Sequence, residues 1–313
     1  MSFKKQSFDQ RFPSYVPFYY RWYCLIRKLY RQSRVRILES QARQQGLSGI
    51  VEDTDGRWED WKNGQLANPV SHINKCLLWV DEDLNRADIK AVTAQLETLK
   101  EKMRQQDLMF CSAAGTFVEN TYTASGERIK LWENAWVLGH AAVKPGMRIL
   151  DIGGASTPFS FYLADLRCSV KIIDNDWGNC GIVYNANYAA KKMGWDLNVL
   201  DKDVARGLPF DNNYFDRVFS ICVIEHLSSP TRRQMMKEIG RVLKPGGIAA
   251  LTTDYDHRRP VLTTDKGLRF GFLKKFQQDV LEPSGLSLMG NRELIDAKPE
   301  ENFLGAFFLT KSN

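Results

Sequence analysis

Asp151, Gly153, Gly154 and Asp174 are the residues whose types and spacing first suggest chemistry. They lie in MRILDIGGASTPFSFYLADLRCSVKIIDND, residues 147–176, which reads as a strand, a glycine turn, a helix and a second strand. Adjacent glycines let a ligand approach the backbone closely, and a carboxylate at a strand end can meet a cation or a hydroxyl. A pyrophosphate would call for glycines in the order GxGxxG, but counted from Gly153 the later positions are Ala155 and Pro158. The turn therefore suits a ligand that makes no phosphate demand. Asp174 ends the second strand 23 residues after Asp151, where a carboxylate can accept both hydroxyls of a ribose. The competing reading is plain: acidic residues also end strands simply to cap the following turn.

A second group of candidates follows in NVLDKDVARGLPFDNNYFDRVFSICVIEHL. Asp203 stands just after a third strand, and Glu225 and His226 stand beyond the end of a fourth. A histidine, with an ordinary pKa of about 6.5, can take a proton at neutral pH, and Glu225 can orient it. The alternative is that EHL opens the next helix and His226 caps or packs there. After a fifth strand, TTDYDHRRP brings Asp254, Tyr255, Asp256 and His257 together. Two carboxylates and a histidine are metal-ligand types, but a solvated loop explains them as well, and no metal is expected. Six cysteines lie far apart without a CxxC pair and read as reduced packing thiols.

These residues need a scaffold, and beyond Pro145 the pattern supplies one. Strands are expected at 148–152, 169–174, 197–201, 216–221, 247–253, 286–289 and 303–310, with helical stretches between most of them. Such alternation predicts an α/β fold: a seven-stranded, mostly parallel sheet with helices on both faces. Before it, three helices are expected. YVPFYYRWYCLIRKLYRQSRVRIL, residues 15–38, is basic and amphipathic; DEDLNRADIKAVTAQLETLKEKMRQQDLMF has apolar residues at helical spacing, with Asp81 or Asn85 as its cap; GERIKLWENAWVLGHAAV ends at Lys144, Pro145 and Gly146. Residues 47–75 read as irregular connection.

Composition is that of a globular chain, 43% hydrophobic and 26% charged. The net charge is +6, but residues 1–50 alone hold ten Lys/Arg against two Asp/Glu, so the remainder is slightly acidic. An anionic partner is to be sought at the N-terminal segment. Residues 15–38 are expected to pack their aromatic side on the same chain while arginine stems reach outward. Peripheral contact with an anionic membrane is the first alternative, and nucleic acid the second. No run of eighteen apolar residues is present and the start lacks the apolar core of a signal peptide, so a cytoplasmic address is expected, with membrane association tied to the basic helix.

Read in order, the motifs LDIGGAST, IIDND, DVARGLPFDNNYFDRV, IEHL and LKPGG resemble those of class I S-adenosylmethionine-dependent methyltransferases, from about Leu131 to Thr310. The resemblance implies a Rossmann-like domain over 126–313 and S-adenosylmethionine as cofactor, with residues 1–125 as a mainly helical cap over the acceptor. It implies that Asp151 and Gly153, Gly154 and Ala155 face the methionine moiety, Asp174 the ribose, Asn175 the adenine edge, and Asp203 with Val204 the adenine amino group. Ile221 and Cys222 would line the cofactor, and Tyr122 would close over its methionine end. Tyr255 stands where members of the family often contact substrate, and His226 with Glu225 would serve as base. Ala155 and Thr157 stand where glycines are usual, and Thr157 is free to cap the next helix instead.

The activity so implied is methyl transfer to a small-molecule acceptor through an oxygen, nitrogen or carbon nucleophile. Trp132 is expected in the core. A nucleic-acid methyltransferase is disfavoured, because SICV stands at the fourth strand in place of an NPPY-like tetrapeptide. A binding protein on a degenerate methyltransferase fold remains a further alternative, and a nicotinamide oxidoreductase is disfavoured by the missing glycines.

Overall fold

The computed structural model describes residues 12–27, 29–30, 50–51, 72–77, 81–112, 116–122, 127–176, 181–255, 261–262, 276–292 and 303–312. One eight-stranded sheet organises them: β1 (Lys75–Leu77), β2 (Arg148–Ile152), β3 (Ser169–Asp174), β4 (Leu197–Asp201), β5 (Phe215–Ile221), β6 (Leu243–Tyr255), β7 (Ser287–Leu288) and β8 (Phe303–Thr310). The order across the sheet is β7-β8-β6-β5-β2-β3-β4, with β1 also on β8. From β6 to β4 all neighbours are parallel, whereas β8 runs antiparallel to β6, β7 and β1. All seven expected strands are present.

The eighth, β1, begins at the last residue of the stretch 47–75 that reads as irregular connection. Its three residues gain strand geometry only from their partner: β7 covers Leu309–Thr310 of β8 and leaves Leu304–Ala306 to pair with β1. Between the two short strands Asn74 accepts the Phe308 N–H at 2.7 Å and donates to the carbonyls of Met289 and Asn291. A polar residue thus completes an edge that would otherwise leave backbone groups unpaired.

The helices are α1 (residues 18–27 and 29–30), α2 (Asp81–Leu84), α3 (Ala87–Arg104), α4 (Glu127–His140), α5 (Pro158–Asp165), α6 (Ile182–Met193) and α7 (Ser229–Val242), with a further helical segment at Gln277–Leu281 and Glu282–Ser284 among the described residues. Consecutive strand residues alternate between two cores, as a two-residue side-chain period requires. Ile149, Ile172, Phe219 and Phe308 join Leu96, Trp136, Phe159 and Ala186 from α3 to α6. Leu150, Ile173, Val218 and Phe307 join Met235 and Ile239 of α7 on the other face. Trp132 is fully buried, as expected of a core residue.

Two N-terminal expectations need correction. The single helix predicted from Asp81 is broken at Asn85 and Arg86, and neither Asp81 nor Asn85 caps the long helix; Arg86 holds that position with no side-chain capping bond, its guanidinium pairing with Asp88 instead. The cause lies in α2, where buried Asp83 is ion-paired with Lys75 of β1 and accepts the Trp132 indole N–H at 3.0 Å. That anchors the first turn to the sheet edge, so the chain turns again before α3. The second correction concerns α1, whose aromatic residues do not all pack on the chain: Tyr20 turns inward onto Tyr184, whereas Phe18, Tyr19, Trp22, Tyr23 and Tyr30 are exposed. The body beneath α1 presents Asp176 and Asp201 and takes the polar side of the helix, as the site geometry makes clear. Residues 28 and 31–38 of the predicted basic helix lie outside the described residues.

Candidate functional site

The strand order reverses between β2 and β5, because β2 leads to β3 on one side while β5 lies on the other. At such a switch point a crevice opens beyond the carboxyl ends of the strands. Gly153 lines it with φ +82°, and its N–H donates to the Ile173 carbonyl at 2.8 Å. A Cβ on Gly153 would stand 2.5 Å from Val223 Cγ2, and one on Gly154 only 1.9 Å from Asp151 Oδ2. Both glycines are therefore required sterically.

Ala155 and Thr157 are not. Thr157 has φ −92° and caps α5 by accepting the Ser160 N–H, while the left-handed residue of this turn besides Gly153 is Ser156, at φ +64°. That conformation costs roughly 1–2 kcal/mol for a residue with a Cβ. Offsetting bonds surround it: the buried Ser156 hydroxyl donates to the Ile182 carbonyl at 2.6 Å and accepts from Asn185 Nδ2 at 2.8 Å.

Four carboxylates gather at this end of the sheet. Asp151 is fully buried, and neither of its oxygens receives a hydrogen bond. Burial, and then the charge of Asp174, push its pKa up to about 8; the nearby Ile152 N–H draws it down only slightly. Asp174 accepts the N–H groups of Ala155 at 3.3 Å and Asp176 at 3.0 Å, yet burial still raises it to about 6. Asp176, 1% exposed, is raised chiefly by burial as well, and accepts from the Ile182 N–H and the Cys24 thiol. Register places Asp201 directly opposite Asp174. Such a cluster favours a ligand that brings positive charge and hydroxyl donors.

α1 roofs the β3–β4 side of the crevice. Arg27 and Tyr23 reach Asp201 at 2.7 and 3.3 Å, Cys24 meets Asp176, and Tyr20 packs on Tyr184 with centroids 5.1 Å apart. Tyr15 stacks on Tyr188 at 4.3 Å and bonds to Asn185. The sequence reads Cys24 only as a packing thiol and Arg27 only as part of the basic helix, and assigns neither them nor Asp176 and Asp201 to the site. Asp176, two residues past Asp174, was within reach of the motif; nothing in sequence spacing links Cys24 or Arg27 to it.

The other wall is built by β5, β6 and α4. Cys222, at φ +56°, donates its N–H to Thr252, whose hydroxyl donates to buried Glu133 at 2.6 Å. Lys130 donates to the second Glu133 oxygen at 2.7 Å and keeps 26% side-chain exposure. Burial opposes the charge on Lys130, but Glu133 and Cys222 outweigh it and hold the ammonium protonated. Lys130, Glu133 and Thr252 also went unnoticed in the sequence, since a helix and a strand 119 residues apart meet only in the fold.

Glu225 is buried and His226 is 60% exposed on the turn Ile224–His226, with Nε2 and Oε1 3.8 Å apart, too far for a hydrogen bond. Donor atoms of Cys222, Glu225 and His226 lie within 4.8 Å of one another. The Lys130 ammonium beside Cys222 already places a cation there, which disfavours a metal ion in the same space.

Of the remaining expected residues, Ile221 and Asn175 are half-buried at the strand ends and Val204 is buried. Asp203 is exposed and accepts the Ala205 N–H at 2.9 Å, so it caps the turn after β4. Tyr122 contacts α3 and α4, accepting from Asn134 at 2.6 Å with the Lys100 ammonium 5.3 Å from its ring centre. Tyr255 ends β6; its side chain, and Asp256 and His257, lie outside the described residues. A separate cleft of about 620 Å³ opens at the opposite end of the sheet, lined by Lys102, Asp165, Arg167 and Asp196, and shares no residue with the crevice.

Residues 150–251 match the family model of a methyltransferase domain. Sterol 24-C-methyltransferase erg6 of Schizosaccharomyces pombe is 33% identical over 127 residues, covering 38% of this chain and 32% of that protein. The ubiquinone/menaquinone biosynthesis C-methyltransferase UbiE of Bordetella parapertussis is 30% identical over 158 residues, covering 47% of this chain and 55% of that protein. A crystal structure of a SAM dependent methyltransferase from Aquifex aeolicus is 22% identical, with TM-score 0.42, covering 56% of this chain and 89% of that one. The chain thus spans between a third and just over half the length of the curated relatives named.

Proposed function

We propose that the chain is a class I S-adenosylmethionine-dependent methyltransferase, a reading supported by the match of residues 150–251 to a methyltransferase domain, and that it methylates a lipophilic small molecule, at a carbon nucleophile in preference to oxygen or nitrogen. The observation that carries the cofactor assignment is Asp151: a fully buried carboxylate without a hydrogen-bond donor, held against a glycine that leaves no room for a Cβ. An orphaned buried acid of this kind is costly unless a ligand supplies its partner. The preference for a lipophilic carbon acceptor draws on two relatives, one named for the sterol carbon it methylates and the other for quinone biosynthesis.

When bound, S-adenosylmethionine supplies a methyl group on a positively charged sulfur, already activated for transfer. Asp151 and the backbone of Gly153, Gly154 and Ala155 would hold the ammonium end. Asp174 would accept the ribose hydroxyls, having lone pairs left beyond the two N–H groups it now accepts. Asn175, Asp203 and Val204 would meet the adenine, with α1 closing over that end through Cys24 and Arg27. Ile221 and Cys222 would line the reacting end, and Lys130 with Glu133 would fix the wall behind Cys222. Tyr122, through Asn134, would steady the same helix.

His226, exposed at the crevice mouth with the Glu225 carboxylate behind it, would take the proton that the acceptor releases. Tyr255 would contact the acceptor. Transfer also requires the nucleophile to be aligned and water excluded, which the roof and the α4 wall would provide.

Two measurements test this reading. Calorimetry with S-adenosylhomocysteine should show binding that Asp174→Ala weakens by about 100-fold, the loss expected for two charge-assisted hydrogen bonds. Incubation of the protein with methyl-labelled S-adenosylmethionine and a fractionated cell extract should place label in the organic-soluble fraction. Label confined to nucleic acid or protein would overturn the acceptor assignment.

A further inference from the structure

Among the described residues, the exposed large hydrophobic side chains all belong to α1: Phe18, Tyr19, Trp22, Tyr23, Ile26, Leu29 and Tyr30, at 46–70% exposure. At about 100° per residue they fall in an arc of roughly 140°, running from Phe18 and Leu29 through Trp22 and Ile26 to Tyr23. The opposite arc holds Tyr20 and Cys24, which meet Tyr184 and Asp176. Arginines border the stripe on both sides. Arg27 follows Tyr23 and stays 21% exposed while bound to Asp201; Arg21 precedes Phe18 and bonds to the Val16 carbonyl at 2.9 Å.

A continuous apolar face bordered by arginines, rich in Trp and Tyr, is the pattern of a helix lying in the plane of a lipid interface. Rings sit at headgroup depth, aliphatic side chains reach the acyl boundary, and arginine stems extend to the phosphates. Charge decides among occupants. Residues 1–50 carry a net +8 while the rest of the chain is slightly acidic, and the sequence beyond α1 continues with Arg31, Arg34, Arg36 and Arg43. A second copy would bring an equally basic segment against this one, at a cost in like-charge repulsion. Nucleic acid would answer the charge but leave the apolar stripe in water. An anionic bilayer answers both.

We propose that α1 is an interfacial helix that seats Phe18, Trp22, Ile26 and Leu29 in an anionic bilayer while its inner side keeps hold of Asp176 and Asp201. The helix that roofs the crevice is then also the helix that lies on lipid, which brings the mouth of the site to the membrane surface. This docking stands apart from the methyl-transfer reading, and its test separates the two.

The whole chain is sedimented with vesicles of phosphatidylcholine alone and of phosphatidylcholine mixed with phosphatidylglycerol, with and without added salt. The protein should pellet with the mixed vesicles, less so as salt rises, and weakly with phosphatidylcholine alone. The double variant Trp22→Glu with Ile26→Glu should lose at least about tenfold in vesicle affinity, whereas Trp22→Phe with Ile26→Leu should retain binding. Trp22 and Ile26 are 48% and 63% exposed, and the bonds to Asp176 and Asp201 come from Cys24, Tyr23 and Arg27 instead, so S-adenosylhomocysteine affinity should match the wild type in both variants, which also reports that the roof still folds. If no form binds that compound, the cofactor reading fails while the vesicle comparison stands. Equal pelleting by the glutamate variant, no pelleting on anionic vesicles, a dimer in light scattering that the glutamate variant dissolves, or an RNA mobility shift that it abolishes would each overturn the proposal.

Discussion

Replacing Asp151 by Asn should make the cofactor-free protein more stable and a poorer binder at once. In the unfolded chain this carboxyl ionises near its ordinary 3.8, whereas in the fold it is held up to about 8 by burial and by Asp174. At pH 7 folding must therefore keep a proton on it, at about 1.4 kcal/mol for each pH unit above 3.8, or about 4 kcal/mol. The amide needs no proton but leaves its donors unpaired, which takes back about 1–3 kcal/mol. A net gain of about 1–3 kcal/mol at pH 7 is expected. The sign with pH is definite. A raised carboxyl contributes fully below its unfolded pKa and loses that contribution as pH rises through its folded one, so the variant's advantage should grow from pH 4 to pH 8 and then level. Urea unfolding of both proteins across that range, without cofactor, measures the difference curve. S-adenosylhomocysteine affinity should meanwhile fall by about 30- to 100-fold, because no charge remains for its ammonium. A stability difference that is flat with pH, or unchanged affinity, would refute the reasoning.

Three further outcomes are expected. Gly154→Ala places a Cβ 1.9 Å from Asp151 Oδ2; it should destabilise by about 1–3 kcal/mol by thermal melting and abolish detectable S-adenosylhomocysteine binding in calorimetry. Glu133→Gln leaves Lys130 without its counter-charge and weakens the bond from Thr252, so unfolding should show a loss of about 2–4 kcal/mol; a neutral result would mean that the α4 wall does not depend on this pair. His226→Gln, on an exposed turn, should leave stability within about 0.5 kcal/mol and cofactor affinity unchanged, while kcat falls by about 100-fold or more and its pH dependence flattens; full turnover would remove His226 from the base role.

Much was legible in the sequence because it depends on local pattern. The seven long-expected strands follow from a two-residue alternation that feeds two cores, so Ile172 and Ile173 announce opposite faces before any fold is known. Gly153 and Gly154 announce a close backbone approach, since few other reasons place two glycines after a strand. Thr157 announces its cap by standing just before Pro158 at the helix start. Tertiary structure alone decided the rest. β1 lies at the start of the short apolar run KCLLWV, which periodicity alone does not assign to a strand, and it takes its place where β7 leaves part of the β8 edge open. Glu133 and Thr252, or Cys24 and Asp176, come together across more than a hundred residues, and no periodicity encodes such a meeting. The amphipathic pattern of α1 was visible from the start, but which side faced inward was not: a hydrophobic stripe normally seeks the core, and here the acidic ends of β3 and β4 claimed the side with Tyr20, Cys24 and Arg27 and left the larger aromatic stripe outward.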